Sequence, residues 1–156
     1  MESIFTLPYS ECQTIIGVQK FLKKSDGYSF YVPTSRQQKG IDFLIHNSKN
    51  NKLLRAQVKS SLSYINDSPT MAEGKFRYNL WFNNFLNNFP KGLADIYLLF
   101  GLFPVYNTNH QIKSKDKFWK NLILLFYEDE ILDLLKEVKT KKKKNQISFL
   151  ELALIT

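Results

Sequence analysis

Two short runs of alternating residues, 41–46 (IDFLIH) and 53–60 (LLRAQVKS), joined by six turn-forming residues, constrain this chain more than any other feature. A β-strand turns successive side chains to opposite faces. Ile41, Phe43, Ile45, Leu54, Ala56 and Val58 therefore fall on one face of a predicted hairpin, and Asp42, Leu44, His46, Leu53, Arg55, Gln57 and Lys59 on the other. The link Asn47-Ser48-Lys49-Asn50-Asn51-Lys52 suits a turn, and symmetric closure sets 42 opposite 57, 41 opposite 58 and 43 opposite 56. A slip of one residue would carry Asp42 to the apolar side, among Ala56 and Val58. The hydrophobic pattern thus selects the register that gathers Asp42, Gln57 and Lys59 on one face.

A carboxylate and an amide oxygen a few ångströms apart are hard ligands of the kind Mg²⁺ accepts, and a lysine ammonium beside them can stabilise a developing oxyanion or orient a water. Phosphodiester hydrolysis uses those parts. A second reading is structural: Asp42 as a charge that discourages edge-to-edge aggregation, with Lys59 as its ion-pair partner on a solvated face. Asp is disfavoured inside strands, so Asp42 between Ile41 and Phe43 calls for one explanation or the other.

The trio resembles the PD-(D/E)XK, or restriction-endonuclease-like, nuclease superfamily, whose motif is an Asp at the start of one strand and acid-x-Lys on the next. Here it reads Gly40-Ile41-Asp42, then Gln57-Val58-Lys59. Ile41 replaces the nominal Pro, which that family often lacks, and Gln57 replaces the nominal Glu, as in the family's modified-DNA branch. The neutral amide removes one negative charge, so a metal site would need further help. The resemblance implies an α/β domain with an αβββαβ core: a helix over about 10–24, strands at 28–32, 41–46 and 53–60, a second helix, and a strand at 95–102, followed by extra C-terminal elements. It also implies Mg²⁺, with Mn²⁺ able to substitute, held by Asp42, Gln57, the carbonyl of Val58 and Glu11, with Lys59 catalytic. Glu11 lies in the first turn of the predicted helix behind a Ser10 N-cap, where it either assists the metal or complements the helix dipole. By resemblance the substrate is DNA. The alternative keeps the fold and loses the metal, leaving a nucleic-acid-binding or assembly subunit.

A length of 156 residues, 44% hydrophobic and 15% aromatic, describes one folded domain rather than a disordered chain. The net charge of +8 favours a polyanionic partner, nucleic acid foremost. Arg36, Lys39, Lys75, Arg77 and the run Lys141, Lys142, Lys143 and Lys144 are candidate phosphate contacts, although such a run also serves as a solvated link. With Cys12 the single cysteine, and His46 and His110 far apart in sequence, neither an internal disulfide nor a zinc site is expected. No basic, apolar leader opens the chain and no run approaches the twenty or so apolar residues that span a bilayer, so a cytoplasmic protein without a membrane partner is expected.

Residues 66–75 (NDSPTMAEGK) suit a loop that either lies over a substrate or merely connects elements. In 77–92, Trp81, Phe82, Phe85, Leu86 and Phe89 recur at helical intervals opposite Asn83, Asn84, Asn87 and Asn88, and Pro90 and Gly92 follow, so a helix is expected. The stretch 94–104 (ADIYLLFGLFP) is apolar on both alternations and reads as a strand buried on both faces. A further strand is expected at 121–127, after a polar, lysine-rich excursion over 106–120. In 128–139 the acids lead and the lysines follow, as a helix dipole prefers. Ser148 and Glu151, at capping-box spacing, suggest a terminal helix over 148–156, packed on the domain or on a second subunit.

Overall fold

The computed structural model of the chain describes residues 9–34, 40–65, 76–83, 91–104, 119–137 and 149–155. They form an α/β arrangement in which a mixed sheet is accompanied by two helices. The elements in chain order are α1 (Tyr9–Gln19), β1 (Tyr28–Tyr31), β2 (Phe43–Asn47), β3 (Lys52–Ile65), β4 (Phe76–Asn83), β5 (Ile96–Pro104), β6 (Trp119–Tyr127), α2 (Glu128–Glu137) and β7 (Phe149–Ile155), with a 3-10 turn at Lys24–Asp26. Among the described residues no helix is long and apolar enough to cross a membrane.

The chain divides into two compact units. The first takes in residues 1–59, 90–99 and 123–136, and so holds both helices, β1, β2 and parts of β3, β5 and β6. Its strand order is β1-β2-β3-β5-β6. The hairpin register is the expected one: Phe43 pairs with Ala56, Leu44 with Arg55 and Ile45 with Leu54. On its other side β2 pairs antiparallel with β1, setting Tyr28 against Asn47.

The expected apolar face of the hairpin is the core. Phe43, Ile45 and Ala56 are buried there with Ile96 and Leu98 of β5 and Ile15 and Val18 of α1, and Leu54, Val58 and Ile123 pack against them. Gly17 lets α1 lie close on β6, since a β-carbon there would fall 2.5 Å from Ile123 Cδ1. Strand β5 is buried from Ile96 through Gly101, as its two-sided apolar pattern requires. Helix α2 opens on Glu128, Asp129 and Glu130. The Glu130 carboxylate accepts the Tyr127 N–H at 2.8 Å, the return half of a capping box.

Helix α1 is shorter than expected. It begins at Tyr9, so Ser10 lies within it and its carbonyl accepts the Thr14 hydroxyl at 2.7 Å. After Gln19 the chain turns through Lys24–Asp26 to Gly27, whose φ of 89° is open to glycine and costly for other residues.

The second unit takes in residues 60–89, 100–122 and 137–156. Here two expected helices are strands. Residues 76–83 form β4, which pairs antiparallel with β3 (Leu62 with Trp81, Tyr64 with Asn79). Residues 149–155 form β7, which pairs antiparallel with β4 (Phe82 with Leu150, Leu80 with Leu152). The helical intervals of the aromatics competed with a period of two: Phe76, Tyr78, Leu80 and Phe82 alternate with Arg77, Asn79, Trp81 and Asn83. Aromatic residues favour strands, and β3, which runs five residues beyond its expected end, supplies a ladder. Likewise Leu150, Leu152 and Leu154 alternate with Phe149, Glu151 and Ala153, and β4 gives that segment a partner. The expected loop at 66–75 and the remainder of the expected helix at 84–90 lie outside the described residues, as does most of the 106–120 excursion.

Candidate functional site

The hairpin positions the trio by its register. Gln57 and Lys59 share one face of β3, and Asp42 stands one residue before β2. The Asp42 N–H donates to the Ala56 carbonyl at 2.9 Å. The Asp42 carboxylate accepts the Val58 N–H at 2.6 Å, which holds it against the 57–58 peptide where the β2–β3 ladder ends. An acceptor that completes a ladder explains why an Asp is tolerated at that point.

Gln57 is unusual. Its residue is only 6% exposed, and its side-chain oxygen is buried with no hydrogen-bond partner among the described residues. Leaving a buried carbonyl unsatisfied costs about 1–3 kcal/mol, and such orphans are rare in folded proteins. Lys59 is half-buried. Loss of solvent holds its ammonium below the usual lysine range, while the nearby negative charge of Asp42 opposes that shift. Asp42 and Lys59 therefore feel one another, with Gln57 between Val58 and Ala56 on the strand joining them.

Glu11 occupies the first turn of α1, half-buried. Among the described residues no three His, Cys, Asp or Glu side chains gather as a metal cluster. A cation here would depend on amide and main-chain oxygens together with Asp42. The orphaned Gln57 oxygen fits that demand, because it is a hard acceptor already stripped of water. Of the candidate phosphate contacts, Arg77 falls within β4. Arg36, Lys39, Lys75 and Lys141–Lys144 lie outside the described residues.

Sequence reasoning missed a second polar group on the same strand. Arg55 forms a two-pronged ion pair with Asp95, Nη2 to Oδ1 at 2.7 Å and Nε to Oδ2 at 3.1 Å. The Arg55 N–H donates to Asp95 Oδ2 at 2.7 Å, the Asp95 N–H returns to the Arg55 carbonyl at 2.9 Å, and Arg55 Nη1 reaches the Gly92 carbonyl at 2.9 Å. The Gly92 N–H in turn donates to Glu128 of α2. The hydrogen bond from Arg55 is the main reason the Asp95 carboxyl sits below the usual carboxylate range, against the opposing effect of burial. One signal was readable in advance: Asp95 immediately precedes a fully apolar run, where a charge needs a partner. The identity of that partner, forty residues away, depends on β3 and β5 being neighbours.

Compared with known proteins, the chain matches no family model, no curated protein and no solved structure.

Proposed function

We propose that the protein is a metal-dependent nuclease that hydrolyses phosphodiester bonds, in DNA by its likeness to the restriction-endonuclease-like superfamily. The observation that carries this reading is the buried oxygen of Gln57, without a hydrogen-bond partner among the described residues, on the strand that carries Lys59, whose ammonium feels the charge of Asp42. Asp42, Gln57, the carbonyl of Val58 and Glu11 would hold Mg²⁺ or Mn²⁺. When bound, the cation would supply charge neutralisation at the phosphate and a more acidic water. The Val58 N–H keeps the Asp42 carboxylate in one orientation. Lys59, still partly in solvent, would place its ammonium against the charge that builds on the phosphate oxygens as the bond to the leaving oxygen breaks. The β2–β3 hairpin is common to this reading and to the superfamily's core; the second core helix expected over 77–92 is replaced through Asn83 by β4.

The test is incubation of purified protein with supercoiled plasmid and linear duplex in Mg²⁺, Mn²⁺ or EDTA. Cleavage is expected with either cation and absent in EDTA. Asp42→Asn retains an oxygen that can accept the Val58 N–H but removes the charge, so it should fold normally and lose activity. Lys59→Ala should lower the rate by about a hundredfold or more. Intact substrates throughout, with no cation-induced rise in melting temperature, would remove the nuclease reading and favour the metal-free binding subunit.

A further inference from the structure

The far end of the same hairpin carries a feature the cleavage chemistry does not use. Residues 19–31 and 47–53 contain five lysines and one acid, Asp26. Lys20, Lys23, Lys24, Lys49 and Lys52 are all exposed. The turn around Gly27 brings three of them together. The Gly27 N–H donates to the Lys24 carbonyl and the Tyr28 N–H to the Lys23 carbonyl, while a β-carbon at Gly27 would fall 3.0 Å from Lys49 Cγ. The Ser48 N–H donates to the Gly27 carbonyl at 2.9 Å, tying the hairpin tip to this turn.

Aromatic surface accompanies the charge. Phe21, between Lys20 and Lys23, is 83% exposed, so it contributes almost nothing to the core. Residues on either side of it in the chain, Gln19, Leu22 and Lys24, line an open cleft of about 420 Å³ together with Tyr28, Ser29 and Phe30. A duplex phosphate backbone would be served by lysines alone. An exposed ring among lysines, in a segment that also helps wall a cleft holding Tyr28 and Phe30, is instead the combination that grips unpaired bases, because every base has a π-face and every link a phosphate.

We propose that this end of the hairpin unit is a docking surface for single-stranded nucleic acid, with phosphates held by Lys23, Lys24 and Lys49 and a base stacked on Phe21. From Lys52 to Lys59 along β3 is about 23 Å at strand rise. A strand bound here and reaching the Asp42–Lys59 end would span a length consistent with the roughly 4–16 nucleotides that compact single-strand sites cover.

The test is fluorescence anisotropy in EDTA with twelve-residue oligo-dT, oligo-U and a twelve-pair duplex, for the natural protein, Phe21→Ala and the triple variant Lys23→Gln/Lys24→Gln/Lys49→Gln. Circular dichroism melts verify that each variant is folded. Phe21→Ala should weaken single-strand binding about tenfold and leave duplex binding unchanged. The triple variant should flatten the slope of log affinity against log salt by about 2, since each single-strand phosphate contact contributes about 0.7. Preference for dT over U, or the reverse, tells which of the two strands fits the surface better and supports the surface either way. Unchanged single-strand affinity in both variants, equal loss on duplex with Phe21→Ala, or displacement by polyglutamate as readily as by oligonucleotide would each overturn it. Cleavage plays no part in this measurement, so a protein that binds but never cuts would sink only the nuclease reading.

Discussion

A buried amide oxygen without a donor is a cost that folding alone does not recover, and Gln57 allows that cost to be measured. Gln57→Leu should raise the metal-free stability by about 1 kcal/mol, because it removes an unsatisfied carbonyl from the interior, and should abolish any cation-induced rise in melting temperature. Gln57→Glu should do the reverse, lowering metal-free stability by placing a second carboxylate near Asp42 and enlarging the Mn²⁺-induced shift. Differential scanning fluorimetry with and without Mn²⁺ reads both, and an unchanged response in the two variants would leave Gln57 with no ligand role. Lys59 makes a related prediction. Its folded-state pKa lies below the unfolded value of 10.5, so its charge opposes folding below the folded pKa, and the penalty fades as pH rises from there towards 10.5. Lys59→Met should therefore be more stable at neutral pH, by no more than about 1 kcal/mol because remaining solvent screens the charge, with the advantage shrinking in alkaline melts. A variant less stable than the natural protein at neutral pH would make Lys59 a structural partner of Asp42.

Among the elements, the ladder between β3 and β5 is reinforced by side chains where it begins. Asp95 ties the start of β5 to Arg55 on β3, and Arg55 holds the Gly92 carbonyl while Gly92 reaches Glu128 on α2. Gly92 adopts a φ of 77°, a conformation in which its N–H and carbonyl serve both neighbours. Because the Asp95 carboxyl titrates below its usual 3.8, its contribution to stability is present above that pH and is lost as pH falls through the folded pKa. Asp95→Asn should lower the urea midpoint at pH 7 and narrow the gap to the natural protein between pH 4 and 2. A constant gap over that range would mean that the pair contributes through shape rather than charge. The two helices that became strands teach the same lesson about elements. Residues 76–83 and 149–155 support both a helical and an alternating reading, and each is a strand because another strand lies alongside. Periodicity alone does not choose between such readings when aromatic residues fit both.

For the whole molecule, net charge and the number of sites set the expected behaviour on DNA. On the proposed nuclease reading, one trio per chain would cut one strand, so supercoiled plasmid should first become nicked circles, with linear product appearing later and rising more steeply than in proportion to protein concentration if two copies act together. Agarose gels over a time course distinguish this from simultaneous double-strand cutting at the lowest concentrations, which would require a preformed pair. Much of the hairpin unit was legible in advance. The β2–β3 hairpin, its 43–56 register, the two-sided burial of β5 and the acidic start of α2 follow from alternation, turn residues and dipole preference, all local properties of the chain. Local alternation also collected Asp42, Gln57 and Lys59, since residues joined by a short turn meet without reference to the rest of the fold. What only tertiary structure decided were the contacts over long separations and the burial they impose. These are the Arg55–Asp95 pair across forty residues, the ladder that made β4 and β7 strands, and the enclosure that strips water from the oxygen of Gln57. Each depends on which surfaces come together, a choice made by packing energy summed over distant residues rather than by the pattern of any one segment.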